Sequence, residues 1–423
     1  MTRSQSYDGE RASARHDDHE PAGSPRPLSV VSSGLETSLR RGRVLGWVLG
    51  VLLLGFVATR GAAQPERGDT RFFQRGAARF AAREPLYKAV RSEPSSPNSG
   101  YTYPPPFALM ARPTLWLSPA ALRALWPWLM AACGVAGYRA LRRALGARPE
   151  TRALALALVL AVCGRYVWND LRHGQTNLLV VGLVCAALAY ARARRDGWAG
   201  AALGLALVIK PTAWPLGLWY LLGGRLRLVL SCGLTGLVAL ALPALLYGPA
   251  LYLGELASWV TRMRGFALEE ALSSGREEGS TLVNLAASAW GARGLQACGV
   301  ADAIGGGRLL AWISGGLALG YTLWRRPRHG ALACVLLGAW LSPVTWKAHL
   351  VLLALPAALA AERLLGHPTR RELGLWTVWV LLIAAPKLWP PAEVLGASTL
   401  AVALGWVWCV RSENGANPRA GNV

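Results

Sequence analysis

Residues 198–222 read WAGAALGLALVIKPTAWPLGLWYLL, an apolar run cut in its middle by Lys210-Pro211. Arg192, Arg194 and Arg195 precede it, and Arg225 and Arg227 follow it. Each half holds about 12 residues and as a helix would be about 18 Å long. The hydrocarbon core of a bilayer is about 30 Å thick, so neither half crosses it alone. Basic residues at both ends argue for a hairpin that enters the membrane and returns to the same side, with Lys210 near its tip. Such a break is tolerated where protein surrounds it or where it lines a cavity.

The chain on either side repeats the theme of apolar runs punctuated by arginine. Val44–Val57, Ala153–Val162, Leu178–Tyr190, Leu226–Leu246 and Ala397–Val410 are continuous Leu/Ala/Val stretches. A membrane β-barrel would instead alternate apolar and polar residues in segments of about ten. With 53% hydrophobic and 16% charged residues among 423, the sequence predicts an all-α polytopic membrane protein. Roughly ten or more transmembrane helices are expected, two pairs of them forming broken, re-entrant hairpins. The second break is Ser342-Pro343-Val344-Thr345-Trp346-Lys347-Ala348-His349, set between the apolar runs His329–Leu341 and Leu350–Glu362. Arg325, Arg326 and Arg328 before it and Arg363, Arg370 and Arg371 after it again put both ends on one side.

The formal net charge of +22 invites a nucleic-acid partner, but the arginines do not form one block. They cluster at 139–152, 192–195 and 325–328, between apolar runs, as the positive-inside rule expects of cytoplasmic connections. Six of the seven cysteines lie in apolar stretches and no CxxC occurs, so neither a disulfide framework nor a zinc site follows. Residues 1–43, polar and mixed in charge, read as a disordered cytoplasmic tail. The apolar run after them lacks a small-residue cleavage site and reads as a retained first span. The membrane domain covers 44–410, with extracytoplasmic loops at 60–114 and 248–303, and 411–423 is a second cytoplasmic tail. On this layout both polar tips converge on the outer half of the membrane.

The first outer loop carries the densest chemistry. Arg71, Arg75, Arg79 and Arg83 lie four apart and line one face of an amphipathic helix, with Phe72, Phe73 and Phe80 elsewhere on it. Such a helix lies in the interface plane, its arginines at headgroup level, where attraction to membrane lipids is one reading. Asp69 stands just before it. As an N-cap, its oxygen would accept backbone N–H bonds; as a catalytic base, it would take a hydroxyl proton. Lys210 is costly in a membrane, and it either snorkels to the interface or binds a phosphate and stabilises the charge developing there. His173, Gln175 and Asn177 form a polar turn, near which Asp170 is a rival carboxylate. Trp346, Lys347 and His349 crowd the second tip, where the histidine could be acid/base, phosphate ligand or cap. No DxD, HExxH, Walker loop or nucleotide fingerprint occurs, so nothing points to a metal, a cofactor or a nucleotide sugar.

Taken in order, five stretches resemble glycosyltransferase family 87. They are Asp69…Phe73 with Pro85-Leu86-Tyr87 and Tyr103-Pro104-Pro105; Gly174-Gln175-Thr176-Asn177; Gly200…Lys210-Pro211…Pro215; Gly279-Ser280-Thr281-Leu282-Val283-Asn284; and Ser342-Pro343…Trp346…His349. The resemblance implies a GT-C fold and an inverting transfer of a hexose, typically mannose, from a polyprenyl-phosphate donor to a lipid or glycan acceptor. It further implies a bacterial-type inner membrane and an active site facing its extracytoplasmic side. It makes Asp69 the base. Lys210, Gln175, Asn177 and His349 match polar positions of the family's motifs, and with Arg71, Arg75, Tyr103, Trp346 and Lys347 they are the candidates for holding the donor phosphate and substrate. The chain departs from the family in having Ala348-His349 where members often carry two adjacent histidines, and in its arginine-rich first loop. A lipid or solute transporter is the competing reading, since transporters also use broken helices near the midplane.

Overall fold

The computed structural model describes residues 48, 50–64, 68–87, 101–147, 151–269, 276–277, 280–281, 283–366 and 368–411. The two expected tails (Arg411 apart), Arg148, Glu270, Glu278, Gly279 and Leu282 lie outside them. Contacts divide the chain at Val51, and of the small unit Met1–Val51 only residues 48, 50 and 51 are described. Among the described residues, the body, Leu52–Val423, is mainly helical, with one ladder of two-residue strands, β1 (Arg276–Glu277) antiparallel to β2 (Ser280–Thr281).

The helices in chain order are α1 (Gly50–Ala63), α2 (Thr70–Ala81), α3 (Pro105–Met110), α4 (Pro119–Ala144), α5 (Arg152–His173) and α6 (Asn177–Arg192). There follow α7 (Asp196–Ile209), α8 (Trp214–Leu222), α9 (Leu226–Tyr247), α10 (Pro249–Glu269), α11 (Ala287–Ala297) and α12 (Ala303–Arg325). The last are α13 (Gly330–Trp340), α14 (Ala354–Gly366), α15 (Arg370–Leu388), α16 (Pro391–Val394) and α17 (Ala397–Val410). Short 3₁₀ turns at Arg112–Trp116, Pro211–Ala213 and Lys347–Leu353 join some of them.

Among the described residues, four helical stretches are long and apolar enough to cross a membrane: Pro119–Ala144, Ala153–His173, Leu226–Tyr247 and Lys347–Gly366. α1, α6, α7, α13 and α17 are apolar but shorter. The chain is therefore an integral membrane protein, and several of its apolar runs form helices shorter than a full span. The two extremes of burial differ in role. Lys347–Gly366 is mostly enclosed by protein and forms the centre of the body, whereas α9 is mostly bare, with Leu230, Leu234, Leu237 and Leu245 exposed. An exposed leucine face on a helix of this length suits lipid contact.

The apolar run 198–222 breaks where its sequence says it should. Proline has no N–H to donate and pushes the preceding residue out of the α region. Lys210 accordingly caps α7 in an extended conformation (φ −147°, ψ 116°) before the turn Pro211–Ala213 restarts the chain into α8. The described part of the stretch 60–114 holds α2, α3 and a 3₁₀ turn, braced by α10. There the Leu86 N–H donates to Glu255 Oε2 (2.9 Å), and Trp259 Nε1 donates to Thr102 O (3.1 Å). α10 and α11 fill much of the stretch 248–303 with helix.

Away from these tips, Arg165 on α5 donates to both carboxylate oxygens of Glu393 (2.9 and 2.7 Å), and Tyr166 and Ser398 complete a buried network. Lys347 lies within electrostatic reach of Glu393 and Arg165.

Candidate active site

Three helix ends meet at one place. α5 finishes in Gly174, whose left-handed conformation (φ +65°) lets the chain turn back. The turn is closed by the Gln175 N–H donating to Asp170 O (3.0 Å). α6 starts immediately, and its free N–H groups need acceptors. Asp170 supplies them: Oδ1 accepts from the Asn177 N–H (3.3 Å) and from Asn177 Nδ2 (2.7 Å), and Oδ2 accepts from the Leu178 N–H (3.2 Å). Fully buried and committed on both oxygens, Asp170 is a capping group that aims Asn177. The rival carboxylate is thereby removed as a base.

Asn177 in turn accepts a hydrogen bond on Oδ1 from Lys210 Nζ (2.7 Å), while its Nδ2 also reaches Gln175 Oε1 (2.8 Å). Lys210 Nζ lies 3.3 Å from His349 Nε2 and 5.4 Å from the centre of the Tyr103 ring. Tyr103 is held by Phe107, stacked at 4.6 Å, by Phe73 edge-on at 5.1 Å, and by Thr176 Oγ1 donating to its hydroxyl (3.3 Å). Lys210 stays in place because α13 comes unusually close behind it. A Cβ on Gly338 would fall 1.6 Å from Thr212 O, two residues past the lysine.

His349 arrives on the Lys347–Leu353 turn. Its Nδ1 accepts from the Trp346 N–H (3.2 Å), which leaves the ring proton on Nε2 in the neutral tautomer. The Lys210 ammonium and the His349 Nε2–H are then two donors facing each other with no acceptor between them. An anionic oxygen to one side of the pair, within reach of both, would satisfy both.

Asp69 occupies the N-cap position of α2, with its backbone oxygen accepting from the Phe72 and Phe73 N–H groups (2.9 and 3.2 Å). Its side chain makes no cap hydrogen bond, however, so the capping role is left to the backbone. Its own N–H donates to His173 O (2.8 Å), pinning the residue to the α5–α6 turn. Lys210, Asp170, Arg123 and Arg71 all act on it electrostatically. No ion pair between its carboxylate and another described residue forms within 4 Å, so its lone pairs are not consumed. Burial pushes its pKa up to about 6, and Asp170 adds to that shift, while Lys210, Arg123 and Arg71 oppose it.

The structure therefore groups Asp69, Tyr103, Gln175, Asn177, Lys210 and His349. Arg71 is partly buried over the Phe72 ring (4.5 Å) and faces Asp69's surroundings, whereas Arg75 is exposed. The expected stripe of four arginines is a stripe of three. α2 ends at Ala81, and Arg83 sits beyond it in a left-handed turn (φ +55°). Trp346 contributes its backbone N–H, and Lys347 is turned toward the Glu393 network. Sequence reasoning passed over Arg123, a buried arginine on α4. Its signal was an ionisable residue embedded in an apolar run between Leu122 and Ala124.

A narrow apolar cleft adjoins the polar cluster. Asn177, Val180, Val181 and Val184 line it from α6, the spacing of one helix face. Val335 and Ala339 of α13 close it opposite, with Leu352 and Leu355 from the Lys347–Gly366 stretch.

No solved structure matches the chain. A curated relative from Mycobacterium tuberculosis is 27% identical over 386 residues, covering 85% of this chain and 84% of its own length. It is named as a polyprenol-phosphate-mannose-dependent alpha-(1-2)-phosphatidylinositol mannoside mannosyltransferase. The profile of glycosyltransferase family 87 matches residues 101–344, more than half of the sequence and including the Gln175–Asn177 turn and the Lys210 break. The chain belongs to glycosyltransferase family 87.

Proposed function

We propose that the protein is an inverting glycosyltransferase that moves a hexose, mannose by analogy with its relative, from a polyprenyl-phosphate donor to a lipid or glycan acceptor. The observation that carries this reading is the pair of facing donors, Lys210 Nζ and His349 Nε2 at 3.3 Å, beside a carboxylate whose oxygens are free. A phosphate oxygen bridging the two donors from one side would be held by charge-assisted hydrogen bonds, strongest when the leaving phosphate gains its extra negative charge. Asn177, aimed by Asp170, fixes the lysine in that position.

In the reaction, the acceptor hydroxyl attacks the anomeric carbon on the side opposite the phosphate. Its oxygen forms the new glycosidic bond as the bond from carbon to phosphate oxygen breaks. Asp69 receives the hydroxyl proton, and the polyprenyl phosphate departs with the electron pair. A single displacement turns a β-linked donor into an α-linked product. The cleft is apolar in its lining along about 10 Å of α6 from Asn177, the chemistry that the isoprene units behind the phosphate require.

An extracytoplasmic site is supported by charge. The site gathers at Asn177, at one end of α6, whereas Arg192 and the bridge between Arg225 and Asp196 lie at the other. Arginine-rich ends belong in the cytoplasm. The reading is tested by sugar transfer from labelled polyprenyl-phosphate mannose by purified protein in nanodiscs, with membrane-lipid extract as acceptor. Donor-dependent product is expected from the wild type, and its absence with mannose, glucose and arabinose donors would overturn the reading.

A further inference from the structure

Arg123 is 5% exposed and projects from the first turns of α4, inside a span where an unpaired guanidinium is costly. Its Nη2 donates to Arg172 O at the end of α5, while its Nε and Nη1 are buried with no hydrogen-bond partner. The guanidinium is lodged in a slot made by two glycines with positive φ. A Cβ on Gly174 would lie 2.1 Å from Nη1, and one on Gly68 would lie 2.9 Å from Nη2. Both positions require backbone that other residues rarely adopt (φ +65° and +85°). Gly68 immediately precedes Asp69, and Gly174 follows His173, whose carbonyl holds the Asp69 N–H. The arginine therefore wedges together the two turns that place the carboxylate. The charge acting on it is that of Asp69, yet the two form no ion pair within 4 Å.

We propose that Arg123 is a positioning residue of this site: from the slot between Gly68 and Gly174 it fixes the Asp69 turn and holds a positive charge beside the carboxylate without occupying its oxygens. A direct salt bridge would fix the carboxylate equally well but would take up the lone pairs a base needs. A cation one step removed keeps the carboxylate ionised and free. The other charged or titratable groups facing Asp69 are Arg71 on α2, Tyr103 ahead of α3, Asp170 on α5 and Lys210 at the end of α7. Arg123 is the one among them whose guanidinium also touches the backbone on both sides of the turn.

The proposal rests on the reading of Asp69 as the base, and the test separates the two. The pH dependence of kcat/KM for the donor is measured for the wild type, Arg123→Gln, Arg123→Lys and Asp69→Asn. The wild type should lose activity on acidification with an apparent pKa of about 6. Arg123→Gln should move that limb upward by about one unit, so that its deficit is larger at pH 6 than at pH 8. Arg123→Lys should return the limb to the wild-type position with a lower kcat, since the charge is kept and the fork is lost. Should Arg123→Gln fail to yield folded protein, the lysine variant decides alone: a limb at the wild-type position with a lowered kcat supports the proposal, and a wild-type kcat or a limb raised by a full unit overturns it. An inactive Asp69→Asn together with an unmoved limb in Arg123→Gln overturns the role of Arg123 and leaves the base intact. An active Asp69→Asn overturns the base itself.

Discussion

Asn284 ties the stretch 248–303 to the turn that carries His349. It is fully buried, and Oδ1 accepts from the Ala286 N–H (3.1 Å) and the Thr345 N–H (3.0 Å), while Nδ2 donates to Pro343 O (3.2 Å). The Leu285 N–H adds a bond to Thr345 O (2.7 Å), so the segment 284–286 runs beside 343–345 as a short patch of paired backbone. In Asn284→Ala, two buried N–H groups lose their acceptor, while the carbonyl of exposed Pro343 can turn to water. Each buried unsatisfied group costs about 1–3 kcal/mol, so even the lower bound gives about 2 kcal/mol in total. That is a factor of about 30 in the balance between a latched and a released turn. His349 lies four residues past Thr345, so the loss should appear first in catalysis. We expect kcat/KM for the donor to fall at least about tenfold, with a lower midpoint of thermal unfolding in detergent. Asn284→Asp keeps the acceptor and loses the donor, and should fall between the two. Transfer and unfolding midpoint both unchanged in Asn284→Ala would refute the latch.

Three further outcomes are expected. Lys210→Met removes one of the two donors facing the proposed phosphate and should lower kcat/KM about 10- to 100-fold, measured by steady-state transfer at saturating acceptor. Activity should fall as the pH drops through about 6, because the raised Asp69 carboxyl takes up its proton there. The effect on stability has the opposite sign. Between about 4 and 6 the folded protein holds a proton that the unfolded chain has released, so this contribution favours the fold at low pH and fades as the pH rises through 6. Gly338→Ala puts a methyl group against Thr212 O and should destabilise the protein by about 1–3 kcal/mol, read as a lower unfolding midpoint. Gly217→Ala, which meets nothing within 4 Å, serves as its neutral control.

Local features of this chain were legible in the sequence because local chemistry sets them. Pro211 ends α7 wherever α7 packs, Gly174 terminates α5 by its backbone freedom, and the spacing of Phe73, Ala77 and Phe80 fixes the buried face of α2. Pairing across the fold was not legible. Asp170 and Asp69 look alike as acidic residues near polar turns, and only the position of the α6 N-terminus shows that one carboxylate is filled and the other free. Lys347 stands two residues from His349, but a 3₁₀ turn separates their directions and sends the lysine toward Glu393. By sequence the stretch 248–303 reads as a loop, because its polar residues interrupt every long apolar window, yet α10 and α11 form there by packing on their neighbours. Arg123 was hidden for the opposite reason: its apolar flanks made the whole of α4 read as an ordinary span.

The central claim is that Asp69 takes the acceptor proton while Lys210 and His349 receive the phosphate. Transfer of labelled mannose from polyprenyl phosphate, compared between wild type and Asp69→Asn at equal amounts of folded protein in nanodiscs, tests it most directly. The account predicts product from the wild type and a loss of at least about a hundredfold in the variant, with donor binding retained. Turnover in Asp69→Asn near the wild-type rate would contradict it.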